Sequence, residues 1–202
     1  MKKKEQYDIL CEVGNICAGN AAVALSELLK SPISVSMPAL HTVGMKETQK
    51  IIKAQANVIG IHVKVFAGLK GEVLLIFTEE SAANLIDVFM RSTEQKSSGL
   101  LTEIGMSLLK ETGNIVISAY VGVLSVMLKT PVIHSTPTLS NGATEDVLQF
   151  AFSHQHSNYI IILIEAVFKS MVHEIKSSFY LALTSKSANL IIKELNKQTT
   201  NH

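Results

Sequence analysis

The chain predicts an α+β fold, internally duplicated with pseudo-twofold symmetry, in which long helices pack on a mostly antiparallel β-sheet. Three observations predict it. Residues 9–38 align with residues 108–137 without a gap. Each copy opens with a long stretch of helical apolar period that a proline stops. Each then continues into short runs rich in β-branched residues and closes on a short amphipathic helix. Within the repeat, Glu12 falls on Glu111, Gly14 on Gly113, Asn15 on Asn114 and Ile16 on Ile115. Further on, Leu25 falls on Leu124, Lys30 on Lys129, Pro32 on Pro131 and Pro38 on Pro137, all at an offset of 99. A second echo sets Ser81–Ile86 against Lys186–Ile191 at an offset of 105. The 202 residues then form one domain of two repeats, about 1–91 and 100–202, joined by a polar linker over 92–99.

The elements follow in order. The first helix runs from about Lys4 to Lys30, and its counterpart from about Leu100 to Lys129. Pro32 and Pro131 end them, because proline lacks the helical N–H and turns the preceding residue away from αR. Gln55–Ala67 and Glu72–Thr78 read as a hairpin closed at Gly68-Leu69-Lys70-Gly71. Val147–His154 and Tyr159–Phe168 read as a second hairpin, turning at Gln155–Asn158. Ile175–Thr184 is a further strand, and short helices over about Glu80–Arg91 and Lys186–Lys197 close the two halves.

Composition narrows the function. With 47% hydrophobic and 17% charged residues, the chain is built to bury a core and not to stay disordered. A formal net charge of +1 lacks the Lys/Arg surplus that phosphate backbones require, so no nucleic-acid partner is expected. Cys11 and Cys17 share one helix at a spacing that suits neither a disulfide framework nor zinc, which points to a reducing cytoplasmic setting. Lys2-Lys3-Lys4 is followed by Glu5-Gln6-Tyr7-Asp8 where an export signal would turn apolar. The uncharged run Thr112–Leu128 is shorter than the roughly 20 residues of a membrane span and contains Asn114, Ser118 and Ser125, so no membrane insertion is expected.

The polar faces of the long helices carry the chemistry. At about 100° per residue from Asp8, Glu12 lies near 40°, Asn15 near −20°, Gly19 near 20° and Ser26 near 0°. Val13, Cys17, Leu10 and Ala21 lie opposite, toward the expected core. In the second helix Ser107, Glu111, Asn114, Ser118 and Ser125 line one side, and Leu109, Val116 and Tyr120 the other. A solvated face ordinarily favours Lys, Glu, Gln and Arg. Asn in mid-helix, and glycine at Gly14, Gly19 and Gly113, oppose helix propensity in both copies, which suggests a face used for contact.

The spacing Asp8-x3-Glu12-x2-Asn15-x22-Pro38 resembles the signature of the CheC/CheX/FliY family of chemotaxis phosphatases. Ser107-x3-Glu111-x2-Asn114-x22-Pro137 resembles it again, with serine at the first place. Length and duplication are most similar to the CheC branch. The resemblance implies removal of the phosphoryl group from the phospho-aspartate of a CheY-type response regulator. It implies that Asn15 and Asn114 each orient a water and that Glu12 and Glu111 each pair with the regulator's lysine. Asp8 and Ser107 would be supporting groups at the site edge, and Pro38 and Pro137 would shape the following strand. No cofactor is expected on this chain, Mg2+ being held by the regulator. The resemblance also offers an adaptor role toward the receptor deamidase CheD, and more remotely a place in a flagellar switch.

Other constellations are weaker. His154 and His156 would share one strand face without a third metal ligand nearby in sequence. His134 and Ser135 show no triad partner, and Gly14-x4-Gly19 lacks the Lys-Ser/Thr of a phosphate loop.

Overall fold

The computed structural model describes residues 3–36, 39–44, 52, 55–92, 102–152, 160–170 and 172–199. Pro38, His154, His156, the turn expected at 155–158 and the linker over 93–99 lie outside the described residues.

Two helices dominate. α1 spans Lys3–Leu29 and α3 spans Glu103–Leu128, within a residue or two of expectation at most ends. Thr102 caps α3, its hydroxyl accepting from the Gly105 N–H at 3.2 Å. Both helices end the same way. Lys30 and Lys129 adopt left-handed φ values of 49° and 50° before the Ser-Pro and Thr-Pro pairs. The Ser31 and Thr130 N–H groups then close onto the Ser26 and Ser125 carbonyls at 3.1 and 3.2 Å. Each of these helices is long and apolar enough by composition to cross a membrane, with a mean hydropathy of 1.4. In this fold 44% of each such window is buried, because α1 and α3 pack on one another and over the sheet.

The eight strands among the described residues form one antiparallel sheet. They are β1 (Ser34–Val35), β2 (Ala39–Gly44), β3 (Val58–Ala67), β4 (Gly71–Thr78), β5 (Ile133–His134), β6 (Thr138–Gly142), β7 (Ile160–Ser170) and β8 (Ile175–Thr184). The order is β1-β7-β8-β4-β3-β5, with β2 also beside β7 and β6 also beside β3. Each half therefore lends its short strands to the other half's hairpin, and β4 and β8 meet at the centre, from Gly71↔Leu183 to Phe77↔Ser177.

The hydrogen bonds repeat with the sequence. Ser36 donates its N–H to the Val167 carbonyl and accepts the Val167 N–H on Oγ. Ser135 does both with Lys64. Ser81 Oγ accepts the Lys176 N–H and its own N–H bonds Thr78 Oγ1, while Ser187 does the same with Lys70 and Thr184. These bonds set Ser81 on Ser187, an offset of 106 in place of the expected 105. Burial agrees: Ala82, Leu85 and Ile86 are buried, as are Ala188, Ile191 and Ile192, whereas Leu190 is exposed.

The main core lies on one sheet face. Ile59, Ile61, Val63 and Val65 of β3, Val73, Leu75 and Phe77 of β4, and Phe179, Leu181 and Leu183 of β8 meet α1, α3 and two shorter helices, α2 (Glu79–Ser92) and α5 (Ser185–Thr199). The other face carries a smaller core under α4 (Thr144–Phe152), where Val147, Leu148, Ala151 and Phe152 meet Val58, Leu74, Ile76 and Tyr180. Here the structure corrects the strand expected over Val147–His154. Residues 147, 148, 151 and 152 follow a helical period, Glu145 and Asp146 suit a helix N-terminus, and β6 rather than this segment lines β3. On the same face buried Glu72 meets His62, Oε2 to Nε2 at 2.6 Å, so the carboxylate has a partner out of water.

Candidate functional site

The candidate residues stand on the side of α1 and α3 that faces away from the sheet. Asp8, Glu12, Ser107 and Glu111 are exposed, and Asn15 and Asn114 are half-buried. Opposite them Val13, Cys17, Leu109, Val116 and Tyr120 are buried in the main core. Among the described residues, none of these six polar side chains has a hydrogen-bond or ion-pair partner. Asn20 makes the contrast: its amide folds back on its own helix, Nδ2 donating to the Ile16 carbonyl at 2.9 Å. An exposed carboxylate and an unengaged amide one turn apart are thus presented twice, each on a rigid helix held by the core.

Glycine seats the helices at this point. Gly113, one residue before Asn114, is buried, and a Cβ there would lie 2.6 Å from Ile61 Cγ2 on β3. Gly14 is buried as well. The expectation that Gly14 and Gly113 belong to the outward face is therefore corrected: both are buried, and Gly113 allows close approach of helix and sheet. Gly19 does face outward, with nothing within 4 Å of its Cβ position, so the surface one turn past Asn15 is open.

Three serines of the predicted stripe have internal partners. Ser26 Oγ donates to the Ser31 carbonyl at 2.8 Å. Ser125 Oγ donates to the Val121 carbonyl at 3.1 Å and accepts the Val132 N–H at 2.9 Å. Both hold the turn from long helix into strand, so they are structural. Ser118 bonds His134, Oγ to Nε2 at 3.1 Å, giving that histidine a partner the sequence had not shown. Pro137 is half-buried between β5 and β6.

Two exposed apolar residues on the same face were missed. Ile16 is 39% exposed and Val23 57%. Both lie near Glu12 by helical angle, at about 80° and 60° from Asp8, which was the available signal. On α3, Val126 is 77% exposed and Gly122 stands in open space. Apolar residues beside a carboxylate suit a protein partner more than a small molecule. Two surface clefts of the molecule, one between Gln55, Thr144 and Tyr180 and one between Phe66, Lys70 and Lys193, include none of the candidate residues.

The cysteines are not poised for chemistry. Burial pushes the Cys17 thiol up to about 12, and burial also raises Cys11, beside Tyr7. Among the described residues, no three His, Cys, Asp or Glu side chains gather as a metal ion would require.

Residues 5–41 match the model of the CheC-like family, a stretch that contains the whole first motif from Asp8 to Pro38. That stretch is similar to the CheC-like family. The CheY-P phosphatase CheC of Bacillus subtilis is 29% identical over 140 residues, 68% of this chain and 67% of that one. The flagellar motor switch phosphatase FliY of the same organism is 26% identical over 109 residues, 54% of this chain and 28% of that protein. The X-ray structure of Thermotoga maritima FliY matches with a TM-score of 0.77 at 22% identity, over 98% of each chain. The FliM middle domain of H. pylori matches with a TM-score of 0.65 at 13% identity, over 96% of this chain and 99% of that one. The α+β architecture of this chain is therefore a fold shared with these structures.

Proposed function

We propose that this CheC-like chain is a chemotaxis phosphatase that hydrolyses the phospho-aspartate of a CheY-type response regulator in the cytoplasm, at two sites. The observation that carries the reading is the duplicated pair, Glu12 with Asn15 and Glu111 with Asn114, outward on α1 and α3 and unengaged among the described residues. The names of the curated relatives support the phosphatase class and phosphorylated CheY as its partner.

The chemistry needs little from this chain. The regulator brings the acyl phosphate, its Mg2+ and a lysine. Asn15 or Asn114 uses its amide to hold a water in line with phosphorus, and Glu12 or Glu111 pairs with the lysine and sets the register of the helix. Asp8 and Ser107 border the sites, and Pro38 and Pro137 shape the chain beyond them. A 100-fold acceleration of a labile acyl phosphate corresponds to about 2.7 kcal/mol, within reach of one oriented amide and one ion pair.

The test is phosphate release from a phosphorylated CheY-type regulator. Asn15→Ala and Asn114→Ala each lower the rate, and the double variant returns it to the regulator's own decay. A double variant with unchanged rate rejects the reading. A stable complex without phosphate release marks an adaptor instead, as a CheD-directed role would require.

A further inference from the structure

We propose that Ser118, with its hydroxyl set by His134, is a substrate-facing group of the second site that the first site lacks. This rests on the phosphatase reading and names what distinguishes its two sites.

Ser118 is exposed, four residues past Asn114 and seven past Glu111, on the same helix face. His134 stands behind it on β5, half-buried, with Nε2 3.1 Å from Ser118 Oγ. The other ring nitrogen decides the direction of that bond. His134 Nδ1 lies 2.8 Å from the Ser135 carbonyl oxygen, which can only accept, so Nδ1 carries the proton of the neutral ring. Nε2 is then bare, and Ser118 donates its hydroxyl hydrogen to it. The outward side of Ser118 consists of lone pairs, a poor match for an anionic oxygen. When the ring takes a second proton, Nε2–H donates to Ser118, and the hydroxyl hydrogen turns outward as a donor backed by positive charge. A phosphoryl or carboxylate oxygen of the partner's acidic pocket is the acceptor that fits this second arrangement.

The first site cannot do this. The offset of 99 places Gly19 and Val35 at the equivalent positions, and the space around Gly19 is open. The titratable and charged side chains on the elements that meet His134 are Glu103, Lys110 and Glu111 on α3, Lys129 just past its end, and Lys64 and His62 on β3, His62 being paired with Glu72 on the other sheet face. Of these, Glu111 and Lys129 share the helix face of Ser118, about 10 and 16 Å away along the axis. His134 is therefore the ionisable side chain in hydrogen-bond contact with Ser118.

The experiment uses two single-site proteins, Asn15→Ala to leave the second site and Asn114→Ala to leave the first, assayed for phosphate release between pH 5.5 and 8.5. Dividing one rate by the other removes the regulator's own pH dependence. The ratio of second-site to first-site rate rises severalfold as pH falls from 8.5 to 5.5. His134→Val, which copies the first half, abolishes the rise in the Asn15→Ala protein. Ser118→Ala at its exposed position abolishes it as well, while Ser118→Thr, which keeps the hydroxyl, preserves it. A flat ratio, or a rise that survives both His134→Val and Ser118→Ala, overturns the proposal and leaves the phosphatase reading intact. Full activity in the Asn15→Ala/Asn114→Ala double variant overturns the phosphatase reading itself.

Discussion

Tyr120 shows how one buried polar atom shapes stability. Its ring stacks on Phe179 at 4.4 Å, deep between α3 and β8, yet its hydroxyl is buried without a hydrogen-bond partner among the described residues. Burial holds that phenol well above its ordinary range. Removing the hydroxyl removes an uncompensated desolvation cost, so Tyr120→Phe is expected to raise stability by about 1 kcal/mol in urea denaturation. A destabilised variant would reveal an unseen partner for the oxygen. Cys17 makes a related prediction at alkaline pH. Its folded pKa near 12 exceeds the ordinary 9, so its contribution is full below pH 9 and is lost as pH rises toward 12. Stability should fall across that window, and Cys17→Ala should flatten the slope even if its cavity lowers the overall level. At this scale the candidate polar residues were legible, since a helical angle is enough to separate Glu12 and Asn15 from Cys17. The bonds that tie Ser118 to His134 and Ser125 to the Val132 N–H were not, because those partners come from the segment after the helix, and no periodicity within α3 points to them.

The helices and the central hairpin were legible because their patterns are long and their stops are prolines. The segment over Thr144–Phe152 was not. Nine residues dense in apolar side chains read equally as a buried strand, and only the pairing of β6 with β3 removes that choice. The echo near Ser81 was read one position off because identical letters outweighed burial. Gly113 carries a prediction of its own. The Ile61 methyl that a Cβ would strike belongs to a β-branched residue buried in the sheet, with little freedom to yield. Gly113→Ala is expected to cost about 1–3 kcal/mol and to shift Asn114, lowering second-site phosphate release more than first-site release. Equal loss at both sites would show that the seat is not local. At the helix end, Lys129 holds φ 50° with a side chain that disfavours it. Lys129→Gly should therefore stabilise by up to about 1 kcal/mol in urea titration, and a loss would show that the lysine side chain makes a stronger contact.

At the scale of the whole molecule, the repeat is an exchange of strands and not two domains side by side. β1 and β2 complete β7, β5 and β6 complete β3, and β4 has β8 as its inner neighbour. Either half alone leaves both edges of its own hairpin without hydrogen-bond partners. Residues 1–98 or 99–202 expressed separately are expected to unfold or to associate in pairs, and the two fragments mixed should give a folded one-to-one complex by light scattering and circular dichroism. A folded monomeric half would refute this. Duplication was legible as a constant offset, but exchange was not, since an alignment of halves says nothing about which half a strand lies beside. Because the middle seam draws one strand from each repeat, no part of the sheet can open there without releasing both. Amide protons of β4 and β8 should accordingly be the last to exchange with deuterium, together and at the free energy of complete unfolding, so that both candidate surfaces share one melting event however far their chemistry diverges.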